Sequence, residues 1–88
     1  MILLITYDLK KPGQDYTSLH NTIKSADSWW HYLESTWLIK TNQDPSVWTD
    51  KIKRVIDPND YLFIVDISGK PYNGWLPQKA WDWINQNK

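Results

Sequence analysis

The chain has 88 residues, with ten basic residues balanced by ten acidic ones and no cysteine. This length suits a single domain over residues 1–88, and the lack of cysteine excludes disulfides and cysteine-bound zinc. The apolar segment at residues 1–7 has no basic region and is too short for a signal peptide or a membrane span. We therefore expect a cytoplasmic protein without a membrane partner. Neutral charge also argues against tight, non-specific nucleic-acid binding by a monomer.

The aromatic content is high, with seven tryptophans and five tyrosines. Aromatic side chains build cores efficiently, because each removes roughly 150–250 Å² from water. Seven indoles are nevertheless too many for the interior of so small a domain. Some of them are expected at an interface or in a pocket.

The first half of the chain predicts a strand, a helix and a strand region. The unbroken apolar run Ile2–Ile5 predicts a buried central strand over residues 2–8. Asp15 is a candidate N-cap for a helix that ends near Asp27. Residues 30–41 are rich in aromatic and β-branched types, which predicts either one long strand or two short ones.

The second half begins with a helix and a strand. Asp44 is a candidate N-cap and Pro45 the first helical residue, and Asp57 and its neighbours end the helix. Its apolar stripe comprises Trp48, Ile52, Val55 and Ile56. The wholly apolar segment Tyr61–Val65 predicts a second central strand.

The last segment, residues 68–88, is predicted to be a Trp-rich tail with a short helix begun by Pro77 and fraying from residue 85. Trp81 and Trp83 lie two positions apart, roughly 200° around a helix, so we expect Trp83 to face inward and Trp81 outward. Trp75 could join Trp81 in one exposed patch. Because tryptophan is enriched at interface anchors, we predict that this patch contacts a second subunit in a homodimer.

These elements predict the fold class. If residues 30–41 supply two strands, the chain is an α+β, ferredoxin-like βαββαβ domain, with a core over residues 1–67 and the tail after it. We expect an antiparallel sheet with two helices on one face and with the first and last strands at its centre. If residues 30–41 supply one strand, the alternative is a three-stranded parallel α/β unit.

Asp8 is the leading candidate for chemistry, because it ends a central strand just before a loop. The alternative is structural: its carboxylate could accept amide hydrogens from the loop at residues 10–13. One carboxylate does not make a metal site, but two could meet across a dimer axis. His20 and His31 lie eleven positions apart without acidic residues at metal-ligand spacing. We expect His20 on a helix surface.

Several short motifs resemble those of the CRISPR-associated Cas-two-like proteins and the related VapD-type ribonucleases. These motifs are Tyr7-Asp8 at the end of the first strand, the segment at residues 34–41 and the acidic turn at residues 56–60. The resemblance covers residues 2–67. Arginines common in those families are absent here, and the Trp-rich tail has no counterpart in their pattern.

The resemblance implies a ferredoxin-like homodimer in which Asp8 and its symmetry mate bind a divalent metal, Mg²⁺ or Mn²⁺. The bound metal would activate water for phosphodiester cleavage. In this hypothesis Lys10, Lys11 and Lys40 contact phosphates of RNA or DNA, and Trp37 or Trp30 stacks on bases. The full set of candidate substrate-binding residues is Tyr7, Lys10, Lys11, His31, Ser35, Trp37 and Lys40.

A second hypothesis is non-catalytic. The neutral charge and the surplus of tryptophan favour a dimeric binding or scaffold module, whose aromatic patches hold a protein partner or a small nucleotide. The direction of the Asp8 side chain should separate the two hypotheses. A carboxylate that faces its symmetry mate in a cleft favours the enzyme, and one buried against its own loop favours the binding module.

Overall fold

The computed structural model describes residues 1–10 and 16–88. In these residues the chain forms four strands and three helices, in the order β1 (Ile2–Asp8), α1 (Thr17–Ile23), β2 (Ser28–Leu33), β3 (Thr36–Lys40), α2 (Pro45–Lys53), β4 (Tyr61–Asp66) and α3 (Gln78–Asn87). The strands make one sheet in the order β2-β3-β1-β4, and all neighbours are antiparallel. The predicted α+β class and antiparallel sheet are confirmed, and the architecture is compatible with a ferredoxin-like fold.

The aromatic segment after α1 supplies two strands, so the three-stranded parallel alternative is wrong. β2 and β3 form a hairpin that turns at residues 34–35, and the ladder is irregular between Trp30 and Leu33. β2 starts at Ser28, earlier than predicted, because α1 already ends at Ile23. The candidate N-cap of α1, Asp15, lies outside the described residues.

The inner face of the sheet is covered by α1 and α2. A hydrophobic core fills this layer and comprises Leu3, Ile5, Tyr7, Leu19, Ile23, Trp37, Ile39, Trp48 and Ile52. α2 begins as predicted, with Asp44 at the N-cap position and Pro45 in its first turn. The carboxylate of Asp44 makes no capping bond. Its backbone carbonyl instead accepts the N–H groups of Val47 and Trp48.

α3 packs on the outer face of the sheet. Its residue Ile84 forms a second cluster with Ile2 and Leu38, and Trp81 and Trp83 both pack against this cluster. The prediction that Trp81 points away is therefore wrong. Two positions on opposite flanks of a helix can both touch a sheet when a buried residue, here Ile84, lies between them. The helix also continues to Asn87, beyond the predicted fraying point at residue 85.

The prediction that β4 lies at the centre of the sheet is wrong. β4 pairs only with β1 and forms one edge, next to the central strand. Its side chains alternate between exposed and half-buried along the whole strand. Every residue of Tyr61–Val65 is apolar, so the sequence conceals this alternation and resembles a strand buried on both faces. An apolar side of an edge strand is thus left exposed to solvent.

No helix in the described part of the chain combines the length and the apolar character needed to cross a bilayer.

Candidate functional site

The outer face of the sheet is only partly covered by α3, and the uncovered part carries the candidate site. Cross-strand neighbours share a face, and here Thr6 lies opposite both Thr36 and Phe63, while Asp8 lies opposite Tyr61. We call these five residues the open face. The rings of Tyr61 and Phe63 are 69% and 65% exposed, which is unusual for large aromatic side chains in a strand.

Asp8 stands at the end of β1 with its carboxylate in solvent. Its Oδ2 atom accepts a hydrogen bond of 2.5 Å from the Lys10 ammonium group, and the two side chains form an exposed ion pair. The hydrogen bond and the charge of Asp8 raise the pKa of Lys10. The Lys10 ammonium also lies 5.4 Å from the centre of the Tyr61 ring, within cation–π distance. The open face therefore ends in a carboxylate, a cation and an aromatic ring.

The backbone N–H of Lys10, one of the loop amides considered for Asp8, is bound by another residue, Asp60. The buried Asp60 carboxylate accepts the backbone N–H of Lys10 at 2.7 Å and that of Asp57 at 2.8 Å. It also accepts the hydroxyl hydrogen of Tyr16 at 3.2 Å. Asp60 thus fixes the start of the loop after β1 and the turn before β4. The carboxylate of Asp8 is exposed, and the other loop amides considered for it, at residues 11–13, lie outside the described residues.

Tyr7, the neighbour of Asp8, faces the core. Its hydroxyl oxygen accepts a 3.0 Å hydrogen bond from the indole N–H of Trp37. Burial raises the pKa of Tyr7, and this hydrogen bond partly offsets the effect. Trp37 is only 1% exposed, so the expectation that its ring stacks on bases from solvent is wrong. Trp30 is half-buried against the cluster beneath α3.

The other predicted site residues are dispersed. Ser35 lies in the hairpin turn at the Asp8 end of the sheet, where its carbonyl accepts the backbone N–H of Tyr7. Lys40 pairs with Ile2 at the opposite end of β1, about 20 Å from Asp8 at 3.4 Å per residue. His31 stacks on Trp37, whose side chain lies on the inner side of the sheet. Lys11 lies outside the described residues.

The two tryptophans predicted as a dimer contact differ in their environments. Trp75 is 99% exposed and packs against almost nothing in its own chain. Trp81 is half-buried on the outer cluster and lies close to Gly74, where an added Cβ atom would come within 3.9 Å of its ring. The two indoles therefore do not form a packed patch within one chain, and their role in a dimer stays a prediction.

A metal site within one chain does not fit the described residues. No group of three or more histidine or acidic side chains comes together in residues 1–10 and 16–88. At the open face, Asp8 offers one carboxylate, and its partner Lys10 is a cation. Because Mg²⁺ keeps several of its waters and takes one or two protein carboxylates, a pair of Asp8 side chains would be sufficient.

Sequence reasoning missed Asp60, Tyr61 and Phe63. A weak signal for the aromatic pair exists, since Tyr61 and Phe63 are two positions apart and must share one face of a strand. Nothing in the sequence tells which face of β4 is covered. The sequence places Asp60 in the acidic turn at residues 56–60, and it gives no sign of the hydrogen bonds to Lys10 and Tyr16, because these are non-local.

Comparison of the sequence with protein-family models gives no match, and no curated protein matches it.

Proposed function

We propose that this chain is a divergent Cas-two-like protein of ferredoxin-like fold that acts on nucleic acid as a homodimer. In this proposal two copies pack through their open faces. The two Asp8 carboxylates then hold one Mg²⁺ or Mn²⁺ ion for the hydrolysis of a phosphodiester bond in RNA or DNA.

The observation that carries the proposal is the position of Asp8. Its carboxylate is exposed on an aromatic sheet face, and Asp60 already performs the loop-holding role that would otherwise account for an acidic residue there. An exposed carboxylate at the end of a central strand, next to a loop, is a candidate ligand or catalytic group.

Exposed aromatic side chains support association through this face. Tyr61 and Phe63 project from the same side of β4, beside the small side chains of Thr6 and Thr36. Sheets that pack face to face lie about 10 Å apart, so carboxylates that extend from both can approach one ion. Burying the two rings also removes an apolar surface that is unfavourable in water.

The ion pair with Lys10 does not prevent metal binding. Exposed ion pairs of this type contribute about 0–1 kcal/mol to stability, so the carboxylate can exchange the ammonium group for a metal ion at little cost. The released Lys10 side chain would stay at the same end of the sheet, where it can bind a substrate phosphate. A bound divalent ion supplies charge neutralisation and an activated water molecule. Asp8 would hold the ion and orient that water.

Nuclease assays on the Asp8→Asn variant test this function. The purified protein should cut single-stranded RNA or DNA in Mg²⁺ or Mn²⁺, and Asp8→Asn should abolish cutting without lowering the melting temperature. Asp50→Asn, on the exposed side of α2, is the matched control and should keep full activity. Equal activity of the wild type and Asp8→Asn would show that cleavage does not depend on Asp8.

A non-catalytic binding module is the second candidate. It is favoured by the ion pair of Asp8 with Lys10, which neutralises the only carboxylate among the open-face residues, and by the two exposed rings beside it. This function predicts a stable dimer, or retention of a small nucleotide, without metal-dependent cleavage. Asp8→Asn and the wild type would then dimerise, or retain the nucleotide, with equal affinity.

A further inference from the structure

A cavity of about 550 Å³ lies at the end of β1 opposite Asp8. It is formed by Ile2 at the start of β1, by residues 67–72 after β4 and by Lys88 after α3. We call it the turn cavity. Pockets that bind small molecules typically have volumes of about 300–1,000 Å³. The size of the turn cavity therefore suits a small-molecule ligand.

The turn at residues 67–70 is held in place by the start of β1. The backbone N–H of Ile2 donates a 2.6 Å hydrogen bond to the Oγ atom of Ser68, and the Ile2 carbonyl accepts the N–H of Ile67 at 3.0 Å. Within the turn, the Ile67 carbonyl accepts the N–H of Lys70 at 3.2 Å. Gly69 has a φ of 68°, which glycine adopts without strain. These bonds fix one wall of the cavity without a ligand, so less conformational freedom is lost on binding.

Much of the lining of the turn cavity is apolar. Ile2 is buried in the cluster beneath α3, and Ile67 packs against the same cluster. Pro71 and the ring of Tyr72, which is 43% exposed, add apolar surface nearer to solvent. An aromatic ligand can pack on a tyrosine ring and cover aliphatic side chains at the same time. The lining therefore favours a ligand with a flat, apolar body.

The charged side chains of the lining are cations. Lys70 and Lys88 are both exposed, and neither forms an ion pair within the described part of the chain. Lys40 brings a third ammonium group to this end of the sheet, because it lies opposite Ile2 and cross-strand neighbours share a face. The Asp66 carboxylate, just before the turn, accepts a backbone N–H of the turn. Since a lysine carries its charge on a flexible stem, these ammonium groups can turn towards a bound anion.

We propose that the turn cavity binds a small organic anion with an aromatic body, either an aromatic carboxylate or an aromatic phosphate monoester. The anionic group contacts the ammonium groups of Lys70 and Lys88, and the aromatic body covers Ile67 and the ring of Tyr72. This site does not depend on the proposed function. Ile2 and Asp8 are at opposite ends of β1, about 20 Å apart at 3.4 Å per residue.

Titration of the ¹⁵N-labelled full chain with three probes, followed by its amide NMR signals, tests this site. The probes are naphthalene-2-carboxylate, 1-naphthyl phosphate and the neutral 2-naphthalenemethanol. An anionic probe should shift the amides of Ile2 and residues 67–70 with one common midpoint, and the stronger of the two distinguishes carboxylate from phosphate. The neutral probe should bind about tenfold more weakly, because it lacks two exposed charge contacts. Equal affinity for the neutral probe, shifts centred on the open face, or no saturable shift with either anion would overturn the proposal.

Lysine variants provide the second measurement. Lys70→Met and Lys88→Met should each weaken the binding of the stronger anionic probe about threefold, and the double variant about tenfold. Both side chains are exposed, so the melting temperature should not change. Lys53→Met is the matched control and should bind as the wild type does, because Lys53 lines a different cavity that also contains Asp57 and Asp60. Unchanged affinity in the double variant would contradict the assignment of the anion to these two lysines.

Discussion

The backbone N–H of Lys10 donates a 2.7 Å hydrogen bond to the Oδ1 atom of Asp60, fifty residues later in the chain. This bond joins the end of β1 to the turn before β4. Because Asp60 also accepts hydrogen bonds from Asp57 and Tyr16, one carboxylate joins the end of β1, the start of α1 and the turn before β4. The exposed carboxylate of Asp8 lies next to this framework and is not a member of it.

Asp60→Ala should lower the free energy of unfolding by about 2–3 kcal/mol, because partly buried donors lose an ionised acceptor. Asp60→Asn keeps one acceptor oxygen and should cost less. Urea denaturation measures both effects, with Asp50→Ala on the surface of α2 as the control. If Asp60→Ala is as stable as the control, these hydrogen bonds make no net contribution to the free energy of unfolding.

Local patterns predicted the elements of the sheet but not their environment. The apolar run of β1 and the Asp44-Pro45 helix start are local signals, and both elements form where expected. β4 has the same kind of apolar run as β1 yet lies at an edge. Strand order depends on pairing between distant segments, which composition does not encode. The position of Asp8 was predictable, and the exposed rings beside it were not.

Tyr7→Phe should destabilise the protein by about 1–3 kcal/mol near neutral pH, since it leaves the buried indole N–H of Trp37 without its acceptor. Tyr72→Phe, at an exposed tyrosine, is the matched control and should have almost no effect. Urea denaturation curves recorded at pH 7 give both values. Retention of wild-type stability in Tyr7→Phe would mean that water replaces the hydroxyl group.

Tyr7→Phe should also change how the free energy of unfolding depends on pH in the alkaline range. Burial raises the pKa of Tyr7 in the folded state, so the unfolded chain ionises first as the pH rises above about 10. The stability linked to this group is fully present below that pH and is lost as the pH approaches the folded pKa. The difference between Tyr7→Phe and the wild type should therefore shrink above about pH 10, and a constant difference would contradict the raised pKa.

Ile84→Ala and Trp75→Ala compare a packed with an exposed position in the last segment of the chain. Ile84 is 3% exposed between Ile2 and Leu38, so removing its side chain should cost about 2–4 kcal/mol through lost burial and a cavity. Trp75→Ala, which deletes an almost fully exposed ring, should change stability by less than about 0.5 kcal/mol. Thermal unfolding of both variants tests whether α3 is an integral layer of the fold. An unchanged melting temperature of Ile84→Ala would contradict it.

Phe63→Asp should convert the proposed dimer into a monomer. The substitution places a charge in the middle of the open face, and a buried, unpaired charge is far more costly than an exposed one. In the monomer Phe63 is 65% exposed, so the melting temperature measured at low concentration should hardly change. Sedimentation velocity at micromolar concentration measures the loss of association. The double variant Trp75→Ala/Trp81→Ala is the counterpart, because it removes the alternative contact predicted at the tail. Dissociation by the double variant and not by Phe63→Asp would place the subunit contact at the tail and leave the two Asp8 carboxylates apart.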